Sequence, residues 1–197
     1  ADIQVRARVT ANADTQQEAD AIAADVRVLA DGGRIRSEGR ATDGRGGWSV
    51  SFEVMAPAQH GLILRSKNGG IAVTGIHADI DMETTNGGIT LSDVNGEVRG
   101  RTNNGGVQIE LAGDGWIGQG LDVQTHNGGV RLWVPDGYSA HLEAGTTNGG
   151  VRVERFEGRV NADTTNGNIR LKGLTFKDGV EARIREAASR QDVEALH

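Results

Sequence analysis

Carboxylate side chains stand at alternate positions in Asp79, Asp81 and Glu83, a spacing that places them side by side on one face of a strand. Converging carboxylates could hydrolyse a glycosidic bond or hold a cation. Eighteen residues after the last two of them, however, stand Arg99 and Arg101, which favours pairs of opposite charge between neighbouring strands. The pattern therefore indicates an exposed, charge-paired surface, and an enzyme is disfavoured.

The sequence does not support metal or thiol chemistry either. The five histidines share no common spacing, which disfavours a metal site, and without cysteine the chain has no disulfide and no thiolate ligand. We therefore predict no catalytic residue, no metal site and no cofactor. The net charge of −6 also disfavours nucleic acid as a partner, because phosphate binding needs a basic surface.

A different chemistry is indicated by Arg131, Arg152 and Arg170, which recur at intervals of 21 and 18 residues. On successive coils of one sheet they would lie roughly 5 Å apart, and like charges so placed destabilise a sheet. The hypothesis is an anionic or sugar-bearing polymer along this face, with forked arginine hydrogen bonds and Trp133 as a stacking plane. The alternative is a solvated face that neighbouring acids such as Glu154 neutralise in part.

The elements that position these side chains follow from an internal repeat. An Asn-Gly pair, followed by Gly or Asn, recurs at intervals of 18, 18, 23, 21 and 18 residues. The asparagines are Asn68, Asn86, Asn104, Asn127, Asn148 and Asn166. Aliphatic residues follow each asparagine three and five places on and alternate with polar ones, the period of a strand. One such repeat cannot bury its own apolar face, but stacked repeats can.

The repeat predicts a mainly β fold, a single-stranded β-helix or solenoid that is right-handed by analogy with most parallel crossovers. A hairpin-based sandwich is the rival, since Asn-Gly also favours hairpins. Recurrence of Thr and Asn in one register favours the solenoid, in which stacked asparagines can form an amide ladder. A second ladder is expected from the threonines two places earlier: Thr84, Thr102, Thr125, Thr146 and Thr164.

Residues 1–60 lack the repeat and are predicted to form a β-α-β-β cap. Asp14 or Thr15 is expected to cap a helix that runs to about Leu29, with acidic residues in its first turn. Such a unit is well placed to cover one open end of the solenoid, whose unpaired edge would otherwise invite aggregation.

The solenoid of about six repeats is expected over residues 61–176, and a C-terminal helix over residues 177–197. The helix is indicated by Val180 and Ile184, which begin an apolar series at helical spacing in a charged stretch. It either caps the last coil or begins a linker. The longer interval before Asn127 predicts an outward bulge at 112–119, where Trp116 either fills a corner or contacts a ligand.

The repeated unit Thr-x-Asn-Gly-Gly-(Ile/Val)-x-(Val/Leu/Ile), together with Trp48-x-Val50-x-Phe52-x-Val54 upstream, resembles the DUF4097 family of β-strand-repeat proteins and related autotransporter-adhesin head domains. The resemblance covers residues 1–176. It implies a bacterial, extracytoplasmic or envelope-associated protein, often tethered to a membrane, and some relatives are connected with envelope-stress signalling. No catalytic residues are carried over, and no stretch of this sequence approaches the length of a membrane span.

We accordingly expect a non-enzymatic, adhesin-like binding module of the periplasm or cell surface. It would present a rigid, repetitive β face to an anionic or carbohydrate polymer or to an envelope protein. The alternative is a structural or envelope-stress signalling scaffold that acts through a protein partner at its end or its terminal helix. A polysaccharide-active enzyme is the third and least favoured reading.

Overall fold

The computed structural model describes residues 3–31, 34–40, 46–112, 115–135, 139–155, 157–173, 182–186 and 192–194. The chain divides into two compact units, residues 1–57 and residues 58–197. Each unit is built from its own hydrogen-bonded sheets.

The first unit contains two small antiparallel sheets and one helix. Its elements are β1 (Gln4–Asn12), α1 (Gln16–Asp25), β2 (Arg27–Asp31), β3 (Arg34–Glu38) and β4 (Gly47–Met55). Strand β1 pairs with β4 and strand β2 pairs with β3. The observed order is β-α-β-β-β, which has one strand more than the predicted β-α-β-β. The additional strand is β2, which forms from the last part of the predicted helix.

The helix begins where the capping pattern predicts but ends earlier. The Thr15 hydroxyl accepts a hydrogen bond from the Glu18 backbone N–H at 3.2 Å, so Thr15 is the N-cap. The expected extension to Leu29 is wrong, since α1 ends at Asp25 and the following segment pairs with β3. Val26 and Val28 are β-branched, which favours a strand once a partner strand is near.

The second unit is a β-solenoid in which each coil contributes one long and one short strand. The long strands are β5 (Leu62–Asn68), β7 (Ile80–Asn86), β9 (Glu97–Asn104), β11 (Gly120–Asn127), β13 (Ser139–Asn148), β15 (Glu157–Asn166) and β17 (Ala182–Glu186). The short strands are β6 (Ile71–Thr74), β8 (Ile89–Ser92), β10 (Val107–Glu110), β12 (Val130–Trp133), β14 (Val151–Glu154), β16 (Ile169–Lys172) and β18 (Asp192–Glu194). We number the coils 1 to 7 in chain order, from β5–β6 to β17–β18.

Two parallel sheets of seven strands follow from this arrangement. The long strands pair in the order of the chain to form the long-strand sheet, and the short strands do the same in the short-strand sheet. The mainly β solenoid fold predicted from the repeat is confirmed, and the hairpin sandwich is excluded because neighbouring strands within both sheets are parallel.

The core lies between the two sheets and is aliphatic. Coil 2 shows the pattern, with Ile80, Met82, Ile89, Leu91 and Val94 all nearly inaccessible to solvent. Residues between them on the same strands point outward, as the period of two requires. A fully buried side chain of this size contributes about 1.5–3 kcal/mol, and each coil repeats the same layer.

An exposed amide ladder runs along the corner between the two sheets. Each asparagine Nδ2 donates to the Oδ1 of the asparagine one coil earlier: Asn86 to Asn68, Asn104 to Asn86, Asn127 to Asn104, Asn148 to Asn127, and Asn166 to Asn148. The donor–acceptor distances are 2.8–2.9 Å. The six repeats are therefore joined by side chains as well as by the backbone.

The threonines two places earlier also stack in register, but they are buried and bond to the backbone. Each hydroxyl donates to the carbonyl oxygen of a corner glycine one coil earlier, as Thr125 does to Gly105 at 2.7 Å. The same bond is made by Thr84, Thr102, Thr146 and Thr164, to Gly69, Gly87, Gly128 and Gly149. The hydroxyls thus satisfy carbonyl groups at the corner, where the chain leaves one sheet for the other.

In coils 2 to 6, the first glycine of the corner is fixed by the distance between coils. A Cβ on Gly105 would overlap the Gly87 carbonyl group of the preceding coil, whereas a Cβ on Gly106 would meet its nearest neighbour, the Gly129 carbonyl oxygen, at 3.3 Å.

The predicted C-terminal helix is wrong for residues 182–186 and 192–194, which are strands β17 and β18. Strand β17 pairs with β15, and β18 with β16, so the solenoid continues past residue 176. The unpaired N–H and C=O groups at the edge of coil 6 offer strand partners that outweigh the helical spacing of the apolar residues. Val180 and the other intervening residues lie outside the described part of the chain. No helix among the described residues has the length and apolar character that crossing a membrane requires.

We expect Gly105→Ala to lower the free energy of unfolding by at least about 2 kcal/mol, because the new methyl group forces two coils apart. Gly106→Ala is the matched control and should change it by less than about 1 kcal/mol. Both variants stiffen the unfolded chain equally, so the difference isolates the contact between coils. Urea unfolding followed by circular dichroism measures both, and equal effects would contradict this account of the corner.

We expect Thr125→Val to cost about 1–3 kcal/mol, because it keeps the shape of the side chain but leaves the Gly105 carbonyl group without its hydroxyl donor. Thr85→Val, at an exposed position of β7, is the control and should stay within about 0.5 kcal/mol of the wild type. The same urea titration decides, and a Thr125→Val protein as stable as the control would refute the role of the hydroxyl.

Candidate binding surface

The three arginines singled out in the sequence lie side by side on the outer face of the short-strand sheet. Arg131 on β12 is paired in register with Arg152 on β14, which is paired with Arg170 on β16. All three are exposed, and their buried neighbours Leu132 and Val153 hold the strands in the core. We call these three residues the arginine row; it ascends one strand spacing, about 4.8 Å, per coil.

Arg152 is engaged by an acid on its own strand. Its Nε donates to Glu154 Oε1 at 2.7 Å, and its Nη2 contacts the same carboxylate oxygen. This hydrogen bond lowers the pKa of Glu154, and the nearby charges of Arg152, Lys172 and Arg155 act in the same direction, against a smaller opposing effect of burial. Glu154 therefore stays ionised and neutralises the middle of the row.

The two outer arginines differ from Arg152. Within the described part of the chain, Arg131 and Arg170 have no ion pair and no side-chain hydrogen bond. Trp133 lies two residues after Arg131 on β12, with its side chain 39% exposed, and is in register with Glu110 and Glu154. Asp192 on β18 is in register with Arg170, whereas the strand neighbours of Arg131 are Gln108 and Arg152. The row thus combines two guanidinium groups that make no ion pair within the described residues with one exposed aromatic plane.

Two further cations border the row: Lys172, which the sequence places two positions after Arg170, and Arg155, which the sequence reasoning did not single out. Lys172 lies on β16 in register with Glu154, and Arg155 follows β14 at the corner of the coil. The Arg155 backbone N–H donates to the Lys172 carbonyl oxygen at 2.8 Å, which brings the two residues together. The repeat carries the signal for Arg155: it stands seven places after Asn148, where coils 1 and 6 have Gly75 and Gly173.

Of the acids considered for catalysis, Asp81 and Glu83 lie on the outer face of the long-strand sheet, whereas Asp79 precedes β7 and accepts a hydrogen bond from the Glu97 backbone N–H at 3.2 Å. Arg65 of coil 1 contacts Asp81 at 2.9 Å and Glu83 at 3.4 Å. The expected partners on coil 3 are in register with these acids, but Arg99 instead pairs with Glu97 on its own strand. The two acids therefore pair with coil 1 and not with coil 3, because the Arg65 side chain reaches them and the Arg99 side chain contacts Glu97. Among the described residues, no group of three acids or histidines has a geometry that could hold a metal ion.

Coils 4 to 6 carry opposite charge on their two faces. On the long-strand sheet, Asp122, Glu143 and Asp163 lie around a shallow depression at Gly145, and the exposed Arg159 on β15 offsets part of their charge. On the short-strand sheet, the corresponding coils carry the arginine row and Lys172. An anion approaching this part of the solenoid is therefore attracted to one sheet and repelled by the other.

The bulge after coil 3 contributes packing rather than an exposed ring. The Trp116 indole N–H donates to the Gly96 carbonyl oxygen at 2.9 Å, and the side chain packs against the core. This favours the corner-filling interpretation of Trp116. Tyr138, in the next long connection, lies outside the described residues.

Comparison with known proteins identifies a family but no individual relative. The family model described as Toastrack DUF4097 matches residues 58–169, more than half of the chain and almost all of coils 1 to 6. No curated protein and no solved structure is significantly similar to the chain.

We expect the carboxyl group of Glu154 to titrate below the ordinary range of glutamate, about pH 4.3, and Arg152→Gln to raise its pKa. Since the pKa is lower in the folded chain than in the unfolded one, the interaction stabilises the fold at neutral pH and is lost as the pH falls through the folded pKa. Carbon-13 NMR titration of the glutamate carboxyl groups measures the midpoint. Arg131→Gln is the control and should leave it in place; an unchanged midpoint in Arg152→Gln would show that the pair does not form.

Proposed function

The chain belongs to the Toastrack DUF4097 family, and from this premise we propose that its solenoid is a non-enzymatic binding module that holds an anionic polymer along the arginine row. The observation that carries the proposal is the register of Arg131, Arg152 and Arg170 on adjacent parallel strands. Three like charges in line weaken a sheet unless something compensates them. Among the described residues, Glu154 pairs with Arg152, and Asp192 of coil 7 is in register with Arg170. Arg131 has no acid in register, and it is the arginine that an anionic ligand would compensate first.

The geometry of the row suits a polymer better than a small ligand. The face is the flat outer side of a parallel sheet, and its guanidinium groups repeat at about 4.8 Å along the solenoid axis. A guanidinium fork binds carboxylate, sulfate or phosphate oxygens through paired hydrogen bonds. Trp133 beside Arg131 adds an apolar plane on which a sugar ring can lie.

Rigidity favours binding by such a face. The strands that carry the row are held by the backbone ladder, the buried core and the asparagine ladder at the corner. Because the cations are fixed at their spacing before the ligand arrives, only the side chains lose conformational freedom on binding. The module therefore needs no conformational change in the solenoid.

The proposed setting is the bacterial envelope, outside the cytoplasm, and the proposed role is adhesin-like attachment to an envelope or surface polymer. The family resemblance noted in the sequence supports this setting, and envelopes are rich in anionic polymers. The lack of cysteine is compatible with an oxidising compartment, since no thiol requires protection there.

The test is retention of the chain on immobilised polygalacturonate and on immobilised polyphosphate, with neutral dextran as the blank matrix. We expect the wild type to be retained on at least one polyanion and released by salt. The variant Arg131→Gln/Arg152→Gln/Arg170→Gln should bind about 10- to 100-fold more weakly, since each exposed ionic contact contributes about 0.5–1 kcal/mol.

A matched control keeps the change in net charge but moves it to the other sheet: Arg65→Gln/Arg99→Gln/Arg101→Gln. This variant should be retained like the wild type. Equal loss in both triple variants would mean that only net charge matters. A wild-type chain that passes through both polyanion columns would contradict the proposed function itself.

A further inference from the structure

The corner that follows each short strand contains a residue with an unusual backbone conformation in four coils. Seven places after the ladder asparagine, the φ angles are 68° at Gly75, 50° at Asp93, 55° at Arg155 and 64° at Gly173. This left-handed region suits glycine, and it is tolerated by aspartate. Arg155 differs from the other three residues, because a long side chain gains nothing from this conformation.

The fold does not require an arginine at this corner. The inter-coil hydrogen bond of Arg155 is made by its backbone N–H, which a glycine would supply equally well. Its side chain is exposed and, among the described residues, has no ion pair or hydrogen bond of its own. The equivalent corners of coils 1 and 6 are closed by glycine with the same φ. The strain at Arg155 is therefore not offset by a contact that holds the corner together.

The position of Arg155 relates it to the arginine row. It follows Glu154 directly, so it lies at the end of the strand that carries Arg152. Lys172, whose carbonyl oxygen accepts the Arg155 N–H, is the next cation along β16 after Arg170. Arg170, Lys172 and Arg155 therefore lead from the flat face to the corner of coils 5 and 6. On the coil 7 side of this basic path, Asp192 and Glu194 of β18 are in register with Arg170 and Lys172.

We propose that Arg155 is a further ligand-binding residue, retained in a conformation suited to glycine because its charge, with that of Lys172, extends the arginine row around the corner of the solenoid. This inference rests on the proposed function of the row. It also defines the ligand more narrowly, as a polyanion with closely spaced oxyanion groups that is flexible enough to follow the corner. A stiff polymer would touch the row alone.

The test is Arg155→Gly, in which stability and binding should move in opposite directions. Release of the left-handed strain should raise Tm by about 2 °C, since 1 kcal/mol corresponds to about 2–4 °C in a protein of this size. Retention on immobilised polyphosphate, a flexible polyanion, should weaken about three- to tenfold. Arg155→Lys keeps the charge and should bind within about twofold of the wild type.

Asp93→Gly provides a control for the glycine backbone, because it places glycine at the same corner of coil 2, far along the chain from the basic path, where it also removes the 3.3 Å contact between Asp93 and His77. It should leave polyphosphate retention unchanged. If Arg155→Gly raises Tm but binds like the wild type, or if it lowers Tm, Arg155 is a structural residue and this proposal is wrong. The proposed function then stands or falls separately, on the triple variant of the row and on retention of the wild type.

Discussion

Successive coils lie only one strand spacing apart, and the other features of the solenoid follow from this constraint. Parallel backbone hydrogen bonds set this spacing at about 4.8 Å in both sheets. At the corner, where the chain turns from a long strand to a short one, the same spacing leaves no room for a Cβ at the first glycine. Close backbones also leave carbonyl groups that need donors, and the buried threonine hydroxyls supply them. The asparagine ladder covers the same corner from the outside.

Periodicity in the sequence was sufficient to predict this architecture, because the constraint acts on every coil alike. An asparagine, a glycine and alternating aliphatic residues at a fixed interval indicate stacking, and the interval also predicts which outward residues become neighbours. The alignment of Arg131, Arg152 and Arg170 is therefore predictable from the sequence alone. The varying interval did not disturb it, since the extra residues lie in the links and at the starts of the long strands, away from the asparagine corner.

The sequence could not predict which of several partners at similar distance a charged side chain contacts. Arg152 meets Glu154 on its own strand, and Arg65 reaches the acids that were expected to pair with Arg99. Such choices are decided by side-chain geometry, which no period encodes. The helix predictions at the ends of the units were wrong for a related reason. The helical spacing after Val26 and after residue 177 was outweighed by strand partners that only the folded chain provides. Arg155 was overlooked because its importance lies in a backbone angle.

The two edges of the solenoid differ in what they permit. At the asparagine edge, two residues join the strands in each of coils 1 to 6, as between Asn104 and Val107, and none of these links varies in length. At the opposite edge the length of the link ranges from two residues, between β14 and β15, to nine between β10 and β11. Lengthening there leaves the ladder, the glycine contacts and the register of both sheets unchanged. The asparagine edge therefore has a constant geometry along the solenoid. At the opposite edge, each link is a site where evolution, or an engineer who grafts a foreign epitope, can insert a segment without altering the two sheets.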